Sequence, residues 1–281
     1  MKFLNICSFE LSGHFASFRK PDVNKVYLTY NNPPYAAILG IFGSIIGLSG
    51  YSPKKKHDPE VLPQFYENLS GIWFSFRPVF SKRPIFLKQM VTYNNYHGYG
   101  SDAGCFQITE QILIKPSWEI FLFDEDGKHA DLIENIKNKK TVFTPYLGKN
   151  EFRAEIGELK EFEATEITDK VATQKAMKFD SIVLLNRADK HPVEKKLSKG
   201  IGFANLDLES AYISEDGYSI FENYPYALDK TFHYKFCLSA FTNWEIDTSR
   251  LMNGTRTFRI KSNDDKEGKE RVINMFNGGV G

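Results

Sequence analysis

From Asn32 to Gly50 the chain reads NPPYAAILGIFGSIIGLSG, and no other stretch limits the fold as much. Asn32 suits an N-cap, and Pro33 and Pro34 suit a first helical turn, where the N–H that proline lacks is not missed. Gly47 to Gly50 supplies permissive backbone on which the helix can stop. Gly40, Gly43 and Gly47 fall three and four apart on one face, so the helix is predicted to press its backbone against a sheet.

The flanking sequence supplies strands for such a sheet. Phe3, Asn5, Cys7, Phe9 and Leu11 alternate against their neighbours with a period of two, which predicts a first strand, followed by a loop from Ser12 to Asn32. Gly71–Tyr93 and Glu110–Asp124 are rich in β-branched and aromatic residues, and Asn94–Phe106 between them is rich in Gly, Asn and Tyr. That pattern predicts a long hairpin with an adaptable tip. A second helix is expected over Lys128–Lys139, where Ala130, Ile133 and Ile136 keep helical spacing, and a further strand through Arg153 to Glu166. The order β-α-β-β-α-β is the ferredoxin-like arrangement shared by RNA-recognition domains. The expected fold class is therefore α+β: a ferredoxin-like (RRM-like) domain over residues 1–168, with a β-hairpin inserted at about 86–114. Beyond Asp169, short apolar runs such as Ser181–Leu185 and His233–Ala240 alternate with polar turns, which predicts a smaller, mostly β region over 169–281.

Charge is distributed unevenly. Residues 1–115 carry twelve Lys and Arg against seven Asp and Glu, and the remainder carries 24 against 28. A one-sided field of this kind can steer an anionic ligand to one face although the net charge is only +1. The most apolar stretch, Ala36 to Leu48, is too short and glycine-rich to span a bilayer, and the start reads as a strand rather than a signal peptide. A soluble, cytoplasmic protein with no membrane partner is expected. Cys7, Cys105 and Cys237 lack metal-ligand spacing and read as reduced thiols. No CxxC pair, HExxH helix or GxxxxGK[ST] loop occurs, so neither a metal nor another cofactor is expected. The run Lys54, Lys55, Lys56, His57 reads as a solvated loop.

Single-stranded RNA is bound by cations for its phosphates and by aromatic faces for its unstacked bases. The loop before the first helix offers Arg19, Lys20 and Lys25 of the one kind, and Phe15, Tyr27 and Tyr30 of the other. Phe15, Phe18 and Tyr30 would equally suit a core beneath that loop. The turn at Asn32 to Tyr35, at a helix N-terminus, is a natural phosphate site. General acid and base catalysis at a 2′-hydroxyl would need grouped Tyr, Lys and His, and Lys88, Tyr96 and His97 are the nearby candidates. No catalytic role is favoured. A metal-independent endoribonuclease is the alternative.

The sequence GHFASFR at Gly13–Arg19, then TYNNPP at Thr29–Pro34, then AILGIFGSIIGL at Ala37–Leu48 resembles the opening of the Cas-five family. Tyr96 and His97, followed by Gln107 to Thr109, look like that family's thumb. TPYLGK at Thr144–Lys149 looks like its hallmark after the second helix. The ordered set spans residues 3–160. The resemblance implies a subunit of a type I Cascade surveillance complex in antiviral defence, closest to type I-B members. Such a subunit caps the backbone filament and holds the 5′ handle of the CRISPR guide RNA. It touches the backbone subunit and the large PAM-reading subunit, and meets target DNA through the assembled complex. The RNA-binding residues so implied are His14, Phe15, Arg19, Lys20, Lys25, Tyr27, Thr29, Tyr30, Asn32, Tyr35 and Lys149. The thumb would carry Lys88, Tyr93, Asn95, Tyr96, His97 and Tyr99.

Overall fold

Ile6, Cys7, Ser8 and Phe9 of the first strand are all buried, which places this strand inside a sheet covered on both faces. The computed structural model describes residues 4–21, 26–50, 62–80, 84–97, 104–168, 176–186, 210–213, 215, 217–229, 231–262 and 269–278. In chain order the elements are β1 (Leu4–Ser12), β2 (Phe15–Ala16), β3 (Val26–Tyr27), α1 (Tyr35–Ile46), α2 (Gln64–Leu69), β4 (Trp73–Pro78), β5 (Leu87–His97), β6 (Gly104–Ile114), β7 (Ser117–Phe123), α3 (Ala130–Lys137), β8 (Glu155–Ile156) and β9 (Lys160–Ile167). They continue with β10 (Ala176–Met177), β11 (Val183–Leu185), β12 (Ser210–Ile213), β13 (Tyr218–Leu228), β14 (Tyr234–Thr242), β15 (Ile246–Asp247), β16 (Arg256–Ser262) and β17 (Glu270–Met275). The described chain is thus mostly β with few helices. Among the described residues no helix is long and apolar enough to cross a membrane.

The main antiparallel sheet runs β17–β16–β9–β1–β7–β4, with β8 beside the end of β1. Phe276, just past β17, exchanges backbone hydrogen bonds of 3.0 and 3.1 Å with Phe74 of β4, so the outer strands meet and the sheet nearly closes. Side chains alternate between its two faces, which gives it two cores. Toward the helices, Phe9, Phe74, Phe76 and Trp118 share a cluster with Phe42 of α1 and Leu132 and Ile136 of α3. Inside the curl, Ile6, Phe121, Phe162, Phe258, Ile273 and Met275 pack together. Arg256 closes one end of this inner core, 5.1–5.3 Å from the rings of Trp73, Phe123 and Phe258 and bonded to Glu166 at 2.7 Å. Arg271 closes the other, over Phe121 and Phe162 and bonded to Glu119 at 2.9 Å.

A second sheet, β11–β14–β13–β12, is joined to the first where Phe76 accepts the Ile182 N–H at 2.9 Å and Val272 accepts that of Asp180 at 2.7 Å. The hairpin of β5 and β6 forms a third sheet, in which β6 also pairs with β2 and, in parallel, with β3.

Several details depart from the sequence reading. The N-cap of α1 is Pro34, not Asn32, so both prolines precede the helix. The glycine face of α1 does not meet a sheet: a Cβ on Gly43 would run into Phe65 of α2, and one on Gly47, the left-handed C-cap, would crowd Val142. Phe42 on another face carries the sheet contact, with ring centroids 6.4 Å from Phe9 and 6.0 Å from Phe74. The second helix is shorter than expected because the Asp124 carboxylate takes the His129 N–H at 2.8 Å before it starts, and Lys139 adopts a φ of 52° after it ends. The main sheet also crosses the boundary expected at residue 168, since β16 pairs with β9 from Thr257↔Ile167 to Ser262↔Phe162.

Candidate nucleic-acid interface

The loop between β1 and α1 is laid along β6. Phe15 and Ala16 pair with Ile114 and Leu113, and Val26 and Tyr27 run beside Thr109 and Glu110. Within the loop, Leu28 accepts the Lys20 N–H at 2.8 Å and Phe18 accepts that of Tyr30 at 2.9 Å, so residues 18–20 and 28–30 form a narrow ladder. The Thr29 hydroxyl is buried in it, accepting the Phe18 N–H at 2.8 Å and donating to the Tyr30 carbonyl at 3.0 Å. That ladder presents cations on aromatic rings. The exposed Arg19 guanidinium sits 3.5 Å from the centre of the Tyr27 ring, and the Lys20 ammonium 5.3 Å from that of Tyr30.

The segment Thr144–Lys149 docks on this loop through its backbone. Leu147 is fully buried and its carbonyl accepts the Ser17 N–H at 3.1 Å. Gly148 takes a φ of 87°, and a Cβ there would collide with the Ser17 carbonyl. Gly13 approaches the same segment, with no room for a Cβ between Leu147 and the Arg153 carbonyl. Two motifs about 130 residues apart in the sequence are therefore one structure. Phe15 and Phe152 face each other across the joint, 5.8 Å between ring centroids, with Phe15 41% exposed.

Lys149 turns inward. Its ammonium bonds to Glu110 at 2.7 Å and Glu151 at 3.1 Å and lies 5.2 Å from the Tyr93 ring. Partial burial works against its charge, but the bonds to Glu110 and Glu151 outweigh this and hold Lys149 above the usual lysine range.

Four of the expected contact residues are not presented at all. Thr29, Tyr30, Asn32 and Tyr35 are each less than 5% exposed, and their side chains serve the interior. Tyr35 stacks on Phe74 at 5.2 Å and donates to the Ser70 carbonyl at 2.8 Å. The turn before α1 already holds an anion: Glu222 of β13 accepts the Asn31 N–H at 2.7 Å and the Asn32 amide at 3.1 Å. A phosphate at Asn32–Tyr35 would meet that carboxylate, which removes the phosphate site expected there.

His14 and Arg19 are exposed, and Tyr27 and Lys20 are half-buried beside them. Tyr93 is 37% exposed on β5. Asn95, Tyr96 and His97 pair along β5 with Phe106, Cys105 and Gly104 of β6. Lys88 stands eight residues before Tyr96 on the same strand, a separation of about 26 Å at the rise of a β-strand. Lys88 therefore cannot join Tyr96 and His97 in one acid–base group. Lys25, Tyr99 and the Lys54–His57 run lie outside the described residues, and among those described no group of three or more His, Cys, Asp or Glu is placed to hold a metal. Glu110, Phe152 and Glu222 were not singled out by sequence reading. Nothing in their local sequence links them to the loop they support.

The fold and this surface define a mostly β protein with a face of cations and aromatic rings at the root of a long hairpin. The family model described as CRISPR-associated protein (Cas_Cas5) matches residues 7–217, most of the chain. The chain belongs to this family of CRISPR-associated proteins. A comparison with curated proteins gives no match. Among solved structures, the chain is similar to one titled "CRISPR RNA-guided surveillance complex", at 12% identity and a TM-score of 0.42 over 89% of this chain and 92% of that one. It is also similar to "Crystal structure of Cas protein", at 11% identity and a TM-score of 0.34, covering 87% of this chain and 96% of the other. A third, "Crystal Structure of CRISPR-associated Protein", has 14% identity and a TM-score of 0.27 over 69% and 85%.

Proposed function

We propose that this chain is a non-catalytic, cytoplasmic subunit of a type I, I-B-like Cascade complex that holds the 5′ handle of the CRISPR guide RNA. The observation that carries the reading is the exposed Arg19 guanidinium stacked on Tyr27 beside the root of the β5–β6 hairpin. A cation fixed on an aromatic face suits a phosphate and its neighbouring unstacked base together. Phe15 and Phe152 extend the aromatic surface, and His14 lies at its edge. The hairpin acts as the thumb that reaches along the guide, and the body contacts the backbone and large subunits. The order β9–β1–β7–β4, with α1 and α3 packed on one face, supports reading the core as the ferredoxin-like arrangement.

The test is to express the chain together with its CRISPR array and the other CRISPR-associated proteins, including the one that processes the array, and to sequence the RNA that co-purifies with it. The expected result is a set of guides sharing one repeat-derived 5′ end. Random cellular RNA without a common end refutes the reading.

A further inference from the structure

Lys149 closes the segment whose resemblance implies an RNA contact, yet its ammonium is engaged by two carboxylates of the protein itself, Glu110 and Glu151. Its first partner, Glu110, lies on β6 opposite Val91 of β5 and beside Tyr27 of β3, and its side chain is only 8% exposed. A carboxylate so buried is tolerated only where a cation and hydrogen bonds meet it. Lys149 is also 5.2 Å from the Tyr93 ring on β5 and 5.5 Å from that of Phe152. One ammonium thus contacts both strands of the hairpin and the loop that docks on Ser17. Further out, from Tyr93 to His97, β5 pairs among the described residues with β6 alone. The direction of the projecting part is therefore set at its root.

We propose that Lys149 and Glu110 form a positioning pair that sets the angle of the β5–β6 hairpin against the body, and that Lys149 is not a phosphate ligand. The proposal rests on reading the hairpin as the thumb of an RNA-binding subunit, but its main test needs no RNA. Lys149 reaches the hairpin through a buried carboxylate, so its charge acts on the hairpin through Glu110.

The experiment measures amide hydrogen exchange in the full-length chain for the wild type, Lys149→Met, Lys149→Arg, Glu110→Gln and the Lys149→Met/Glu110→Gln double variant. Amides of β1 and β7 report global unfolding in the same samples. The expected result is exchange about tenfold faster at residues 90–94 and 107–110 in both charge-removing single variants. Lys149→Arg should restore protection, and the double variant should be no worse than either single change. The double variant leaves no charge buried alone, so it keeps the fold even if a single change does not. Unchanged hairpin exchange in the double variant overturns the proposal. A fluorescein-labelled single-stranded RNA of mixed sequence supplies a second readout. Lys149→Met should weaken binding while keeping its dependence on salt. A slope reduced by about 0.7 would instead mark a lost phosphate contact and overturn the proposal. If the wild type binds no RNA, the reading of function fails while the exchange result still decides the role of the pair.

Discussion

Glu222 shows how one residue can move a site. Its carboxylate occupies the turn ahead of α1, where unpaired N–H groups and the helix dipole favour an anion. The basic face therefore lies before this turn, at Arg19, and not on it. Arg19→Ala should weaken the binding of single-stranded RNA and reduce the slope of log affinity against log salt by about 0.7, the share of one phosphate contact on a single strand. Fluorescence anisotropy across a salt series measures this, and an unchanged slope would remove Arg19 from the interface. At this scale the sequence was partly legible. Arg19, Lys20 and Tyr27 could be chosen as cations and rings in a loop, because those residue types carry their chemistry wherever they stand. The burial of Asn32 and Tyr35 could not be read, since it depends on β13 and the 64–74 segment packing over them.

The β5–β6 hairpin is the element whose local pattern and tertiary role agree best. Its strands, Leu87–His97 and Gly104–Ile114, pair in register from Leu87↔Ile114 to His97↔Gly104. β-Branched and aromatic residues flank a tip rich in Gly and Asn, and local chemistry of that kind is enough to specify a hairpin. Among the described residues its root is held by other elements: β2, β3, Lys149 and the Ser17 hydroxyl, which donates to the Gln111 carbonyl at 3.3 Å. Replacing residues 95–106 by a two-residue Asn-Gly turn should leave thermal stability within about 0.5 kcal/mol, because a hairpin tip rich in turn-forming residues carries little core. Target binding by the reconstituted complex should fall. Calorimetry checks the first outcome and a gel-shift assay with target duplex the second; a large loss of stability would show that the tip serves the fold.

At the scale of the whole molecule, closure of the main sheet depends on residues near the two ends of the chain. Glu119 of β7 accepts from Ser8 of β1 at 2.9 Å, Arg77 of β4 at 2.6 Å and Arg271 of β17 at 2.9 Å, so one carboxylate joins four strands. Burial alone would raise its pKa, but Arg271 and then Arg77 outweigh burial and hold it below the ordinary value of 4.5. Its stabilisation is complete above that value, where the unfolded carboxylate is also ionised. It declines as the pH falls below 4.5 toward the lower folded value, because the unfolded chain takes up the proton first. Glu119→Gln should cost about 3–5 kcal/mol at neutral pH, since it leaves Arg271 buried without its partner. The gap to the wild type should narrow as the pH falls below 4.5. Urea denaturation across that range measures both, and a gap independent of pH would show that the carboxylate charge is not what matters.

Sequence by itself determined the local elements: the first strand, the proline step and glycine stop of α1, the hairpin, and the sheet-forming character of the last hundred residues. These follow from periodicity and backbone preference, which act over a few residues. Only the tertiary structure decided that β16 and β17 complete the first sheet, that Glu222 occupies the turn ahead of α1, and that Lys149 faces Glu110. Each of these joins residues far apart in the chain, and such pairings are selected by the packing of whole faces against one another, which no short window of sequence contains.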